Sequence, residues 1–456
     1  MKNYLTLFLF FVLTINGFSQ WRTSTIASFT EGNAFDVLVG DGRNNGNNSV
    51  FVSTKAGAVY ESIFDNVTET WSTQTILGGL TNAKLIFMAL GACKNDGVNR
   101  LYFSEMDHSG GRIFEATWGG SNWNTIQIGT ASEAITEIII GDGRNDGLNR
   151  LYIGGTGTTG FNEYTWDGTN WTSIQLYVED MEGSGFVGDA TGSGMNSVYS
   201  TGQYIKKCDW NGTAYNSNDI SISSSWPDPF SLGDCRNDGV QRIYANTNDG
   251  RHEITYNTST TNWDVVTISN NAQRGDICLA KLKADGLSAI YSTFSSITWS
   301  STPALAFTEY KWNGTDYDST MVLDATSGAT SMINAGIGRN DDTMRLYAPN
   351  YGANSLFEIT WANPYYITPD LITKVKTDNF EFTAYSQQKS VHINLAKIPD
   401  EITSVEMYSV DGRFIFTKQL FDKNNQVYIN GVNQGVYVLK VKSGNKFHTK
   451  KIFIND

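Results

Sequence analysis

One phrase recurs along this chain and limits what it can fold into. GDGRNDGLNRLY occupies 141–152, and close variants stand at 40–51 (GDGRNNGNNSVF), 91–102 (GACKNDGVNRLY), 188–199 (GDATGSGMNSVY) and 233–244 (GDCRNDGVQRIY). Weaker copies stand at 280–291 (AKLKADGLSAIY) and 336–347 (GIGRNDDTMRLY). The copies start 51, 50, 47, 45, 47 and 56 residues apart. A period near fifty made of short strands is the pattern of a β-propeller. In the third unit the alternation predicts strand A at 135–142, strand B at 150–155, strand C at 161–166 and strand D at 171–177. The pattern of strand C, turn and strand D recurs at 112–128 and 309–322.

The strand count is uneven at the ends. Seven copies of the phrase and seven C strands are present, the last being SLFEITW at 355–361, but no D strand follows it. WRTSTIAS at 21–28 looks like WNTIQI and WTSIQL, the D strands of other units. We therefore expect Trp21–Ser28 to be the outer strand of the last blade, joining the chain ends and leaving no free edge. The expected fold is all-β. A seven-bladed propeller spans 21–368, a linker 369–378, and a small β-sandwich 379–456.

Composition agrees. Among 456 residues, aromatics make up 13%, Gly numbers 44, Pro only 7, and charged residues 17%, which suits many short strands and tight turns. The formal charge is −13, while 370–456 hold 12 Lys+Arg against 9 Asp+Glu, so the acidity lies upstream. An acidic body argues against nucleic acid or an anionic membrane as partner. The opening MKNYLTLFLFFVLTINGFSQ has a basic residue, a short apolar run and a polar end, the pattern of a secretory signal cleaved before Trp21. The apolar run is too short to span a bilayer, so no membrane span is expected. Cys93, Cys208, Cys235 and Cys278 are too scattered for a disulfide framework and read as buried thiols.

The repeated turn resembles the Asp-rich turn of FG-GAP and VCBS-type propeller repeats. That resemblance implies calcium held by oxygens at loop positions one, three, five and nine. Here position one is Asp at 41, 142, 189 and 234, and position five is Asp at 96, 146, 238, 285 and 341. Position three is cationic in six copies (Arg43, Lys94, Arg144, Arg236, Lys283, Arg339), and position nine is Arg100, Arg150, Arg242 or Arg345 in four. Calcium needs about six to eight oxygens, and a guanidinium offers none. The expectation is that Arg replaces the cation and bonds the Asp carboxylates, with no metal and no cofactor. Tyr or Phe at position eleven should pack between blades.

The tail carries MYSVDGR, then a run containing Gly435, Val436 and Tyr437, then a close with Lys450 and Lys451. Order, spacing and terminal position resemble the type A C-terminal sorting domain of type IX secretion. The resemblance implies a Bacteroidetes-type envelope, a secretion-machinery partner, and release or surface attachment after export.

On propellers, ligands usually sit on the face that carries the B–C and D–A loops. Candidate ligand-binding residues there are Asp107, His108, Arg112, Trp226, Asp228, Arg251, His252, Asp276, Trp299 and Tyr351. Asp36, Glu137 and Asp276 precede the turn at one shared offset and are expected to ring the channel mouth. Loop Trp beside Asp, Asn and Arg suits stacking on sugars. His108 and His252 fall on blades two and five, too far apart for a joint site. The leading expectation is a binding module for polysaccharide or glycoprotein. The alternatives are a polysaccharide lyase or glycoside hydrolase at the channel mouth, and a protein-interaction scaffold or adhesin.

Overall fold

The computed structural model describes residues 21–361 and 382–454 except 79–84, 107–109, 179–183, 221, 223–226, 228, 271–274, 284, 294–306, 324–331, 351–353, 388–389, 396–402, 410–413, 430–431, 433 and 444–445. Two compact units emerge, Met1–Pro364 and Tyr365–Asp456.

The first unit holds seven four-stranded antiparallel sheets. Six are built from four consecutive strands, as in Ile135–Gly141, Arg150–Gly155, Phe161–Trp166 and Trp171–Tyr177. The seventh joins the chain ends. Asn334–Gly336, Arg345–Asn350 and Ser355–Trp361 are completed on the outside by Trp21–Ser28, in register from Trp21 opposite Trp361 to Ser28 opposite Ser355. We number the blades one to seven from residue 34 and letter each blade's strands A to D outward.

Glycine sets how closely the inner strands approach. Strand A ends in Gly in six blades, and a Cβ at Gly40 would lie 2.5 Å from Leu90 of the next blade. Gly141 meets Val187 in the same way at 2.4 Å, and Gly336 meets Val39, which closes the circle. Blade six carries Ala280 instead, and its facing residue shrinks to Ala335 within the same apolar cluster.

Aromatic pairs lock the outer part of each interface. The position-eleven ring of one blade meets the first ring of strand D in the next: Phe51 with Trp123, Tyr102 with Trp171, Tyr152 with Tyr215, Tyr244 with Tyr317, and Tyr347 with Trp71. Tyr291 of blade six finds Trp21 at 5.9 Å, so the N-terminal strand fills the slot that a D strand fills elsewhere. Cys93, Cys208 and Cys235 are buried free thiols, and burial pushes the thiol of Cys208 up to about 12.

The second unit is a small sandwich. A three-stranded sheet packs with a four-stranded one of order Phe414–Leu420, Thr403–Ser409, Gly435–Ser443, Lys446–Ile454 around Val391, Ile393, Val405, Met407, Leu439 and Val441.

Trp21 is 7% exposed and bridges two blades. Trp21→Ala should destabilise the first unit by about 3–5 kcal/mol. Denaturant unfolding followed by tryptophan fluorescence would check this, and a loss below about 1 kcal/mol would refute the closing role of the strand.

Candidate functional site

The repeated turn builds a blade-to-blade staple. Arg43, at position three of blade one, donates from Nε and Nη2 to the two carboxylate oxygens of Glu61 on strand C, both at 2.9 Å. Its guanidinium lies 4.0 Å above the ring of Trp118 on the next blade. The arrangement repeats. Lys94 bonds Glu115 and lies over Trp166, Arg144 bonds Glu163 and lies over Trp210, and Arg236 bonds Glu253 and lies over Trp312. Lys283 bonds Glu309 over Trp361, and Arg339 bonds Glu358 over Phe64, which returns the circle to blade one. The expected bond from position three to the loop aspartates is therefore corrected. These cations reach strand C because the buried glutamates, 0–3% exposed, need a counter-charge more than the solvated loop acids do.

Position nine behaves as expected. Arg100, Arg150, Arg242 and Arg345 each grip the position-five aspartate four residues earlier. Arg100 holds the Asp96 carboxyl at about 2, below the usual range. The position-one carboxylates instead accept backbone N–H groups of their own turn, as Asp142 does from Asp146 and Gly147. Asparagine at position four has positive φ and closes a two-way bond with the next turn. Asn145 Oδ1 accepts from Asn196 N–H at 2.6 Å, and Asn145 Nδ2 donates to the Asn196 carbonyl at 2.9 Å. These residues do not fit calcium. Cations occupy two of its four positions in blades two, three, five, six and seven and one in blade one, and in blade four backbone N–H groups hold Asp189. Among the described residues, no group of three or more His, Cys, Asp or Glu could hold a metal ion.

Of the sequence candidates, Asp107, His108, Trp226, Asp228, Trp299 and Tyr351 lie outside the described residues. Arg112 begins strand C of blade two and forms a two-bond pair with buried Glu105. Arg251 and His252 were expected in a loop, and this is corrected. Both stand on strand Gly250–Asn257 and are 1% and 3% exposed. Arg251 donates to Ser292 Oγ at 2.9 Å and to the Thr293 carbonyl at 3.2 Å, and burial lowers its pKa. His252 Nε2 meets Thr247 Oγ1 at 3.0 Å and Asp249 at 3.3 Å. The structure brings Arg251 and Asp276 onto one residue, Thr293, with His252 beside Arg251, and leaves Arg112 apart. The described candidates lie on blades two, five and six.

The inner acids also bind across interfaces. Asp36 accepts N–H from Val37 at 2.7 Å and from Met88 of the next blade at 2.8 Å. Asp276 repeats this with Ile277 and with Ile333 of blade seven. Glu137 accepts from Ile138. Burial pushes the Asp36 carboxyl up to about 7, against its two N–H bonds, and the charge of Asp276 adds to the rise.

In the second unit, Gly435, Val436 and Tyr437 pair with Ile454, Phe453 and Ile452, and Lys450 and Lys451 are exposed on the same edge strand. Val436 and Phe453, opposite each other, are 44% and 51% exposed.

Residues 387–455 match the family described as secretion system C-terminal sorting domain. This tail implies type IX export to the cell surface, and no described helix is long and apolar enough to cross a membrane. No curated protein sequence matches the chain. Similar solved structures include the extracellular domain of BT4673 from B. thetaiotaomicron, at 10% identity and TM-score 0.46, covering 94% of this chain and 59% of that one. BBS1N in complex with ARL6DN aligns at 12% identity and TM-score 0.50, over 76% of this chain and 98% of that one. An Agrocybe aegerita lectin that recognises non-reducing terminal N-acetylglucosamine aligns at 12% and TM-score 0.46, over 70% and 86%. At these identities the likeness is one of fold.

Arg144→Met removes the two-bond partner of buried Glu163, leaving only Arg150 Nε at 3.5 Å, and should cost about 3 kcal/mol, with Glu163→Gln in the same chain recovering part of the loss. Thermal unfolding of the single and double variants would decide it, and equal loss in both would refute the pairing. Asp36 binds its proton more tightly in the folded chain, so its contribution to stability falls as pH rises from the ordinary 3.8 toward about 7. The stability of Asp36→Asn relative to the native chain should therefore rise over that window. A flat difference would show that Asp36 titrates normally.

Proposed function

We propose that the protein is an exported binding module whose ligand is a polysaccharide or glycoprotein outside the cell. One observation carries this reading. In six blades the position-three cations and strand C glutamates are committed to staples between blades, and the position-nine arginines to aspartates of their own turns, which makes the ring a rigid platform for recognition by loops and clefts rather than a reaction centre. Binding surfaces preformed on rigid elements need little ordering on contact. Trp226 and Trp299, which the sequence assigns to loops, are the proposed stacking rings, since aromatic faces suit the C–H faces of sugars.

The test uses the full-length chain against plant, marine and host polysaccharides, with capture and product formation read together. Capture without new reducing or unsaturated ends is the expected result. New chain ends would replace this reading with that of a lyase or hydrolase. Neither capture nor products would favour a protein partner.

A further inference from the structure

Position nine of the turn holds an arginine in blades two, three, five and seven, and each guanidinium fills the space between the position-five aspartate and strand C. Blades four and six lack that arginine, yet strand C supplies a lysine. Lys207 bonds Asp209 in blade four, and Lys311 bonds Asp285 in blade six. Blade one supplies no cation from position nine or from strand C, and the Arg43 that lines this place is already bonded to Glu61. Its position nine is Ser49, its position five is Asn45, and Ile63 stands where Lys311 stands in blade six. A cleft of ≈ 200 Å³ opens at this place, with Asn45, Asn47, Ser49, Ile63, Phe64 and Asn66 among its walls.

We propose that this cleft is a carbohydrate subsite that takes a single neutral pyranose residue. The inference rests on the glycan-binding reading above and gives it a place and a ligand class. Inside, a cation finds only the rim carboxylate of Asp65, already bonded to the Val67 and Thr68 N–H groups. The buried Glu61 carboxylate of the same blade already accepts two bonds from Arg43 and one each from Ser49, Gln74 and Trp123. Asn45 is neutral where the sister turns carry aspartate. A desolvated cation without a paired acid is costly, whereas a neutral polyol is not.

The polar groups suit hydroxyls. Asn45 Oδ1 accepts from Asn47 N–H at 3.0 Å, which leaves its Nδ2 for a ligand. The side-chain amides of Asn47 and Asn66 bond nothing among the described residues, so both offer donors and an acceptor. Asp65, at the rim, adds carboxylate oxygen, and half-buried Ile63 and Phe64, the latter also under Arg339, supply an apolar wall for a sugar's C–H face. The floor is already fixed. Asn48 N–H donates to Asn340 Oδ1 at 2.6 Å, Asn340 Nδ2 returns to the Asn48 carbonyl at 3.0 Å, and Asn48 Nδ2 holds the Ile337 carbonyl at 3.1 Å. The volume is below that of a drug-sized pocket, which limits the occupant to about one ring.

Saturation-transfer NMR on the full-length chain would use the methyl glycosides of glucose, galactose, mannose, fucose and N-acetylglucosamine, with methyl glucuronate and arginine methyl ester as charged probes. At least one neutral glycoside should give signal and the charged probes should not. Asn45→Asp with Ser49→Arg rebuilds the sister-blade bridge and fills the cleft. It should abolish that signal, by about tenfold or more, with the melting temperature kept. Asn47→Ala with Asn66→Ala leaves the cleft open and removes the donors, and it should weaken the signal several-fold even if the first variant does not fold. Undiminished signal in a folded variant of either kind overturns the site, as does signal from the charged probes alone. Polysaccharide capture by the native chain without any glycoside signal overturns the site and leaves the glycan-binding reading standing. Absence of both overturns the two together.

Discussion

The rest of the structure depends on one buried carboxylate in each of six blades. Glu61, Glu115, Glu163, Glu253, Glu309 and Glu358 sit on strand C inside the sheet stack, 0–2% exposed. A carboxylate so enclosed is costly unless every lone pair is met. Most collect their donors from several elements at once, although among the described residues Glu115 is hydrogen-bonded by Lys94 alone and its Oε2 has no hydrogen-bond partner. Glu163 takes Arg144 from the turn, Thr165 from its own strand and Tyr215 from the next blade. Satisfying this one group fixes the turn, the strand and the neighbouring blade in a single geometry. The cation it holds then has its other side free to lie on an aromatic ring across the interface, and the interface gains direction as well as area.

Blade four shows that the staple is kept or lost as a unit. Its strand C carries Lys207 in place of glutamate, and its position three is Thr191 in place of a cation. The next blade ends strand C with Tyr256 rather than Trp. Position four is Gly192, so the asparagine latch is missing from this turn as well. With the acid gone, a loop cation would face Lys207, and the aromatic would have nothing to receive. Blade four balances Lys207 locally against Asp209, to which Ser197 also donates. What remains across this interface is closer to the channel, where Ser184 accepts the N–H of Phe230 and Phe186 packs on Phe230 at 4.8 Å.

The strands and the closure of the ring were legible because they follow from alternation and from an end-to-end count. Trp21–Ser28 could be assigned to a blade before any coordinates, since a D strand was missing at one end and present at the other. The staple was not legible. In FNEYTW, RIFEATW and FTEYKW the glutamate reads as the solvent-facing member of an alternating strand, and only blade packing turns that side inward. Arg251 was misread for a related reason. It follows NTNDG, a strong turn signal, yet the strands align it with Val59, Ile113, Phe161, Ile205, Phe307 and Leu356, all buried apolar residues or half of an apolar cluster. That column of seven, had it been drawn from the strand C pattern, would have marked Arg251 as a core substitution rather than a loop residue.

The blade-one cleft follows the same logic in reverse. A repeat that bridges position nine to the position-five aspartate in four blades can leave blade one unbridged without losing the ring, because the Arg43–Glu61–Trp118 staple of that blade is complete. Removing the position-nine arginine together with its aspartate partner leaves no orphaned charge, only space and amides. The replacement of the third contact by Ile63 keeps that space from being refilled by a lysine, as Lys311 refills it in blade six. Recognition here arises by subtraction from a structural motif. That is why it lies on the turn face, among residues whose sister copies are wholly structural, rather than on the loop face where the sequence directed attention.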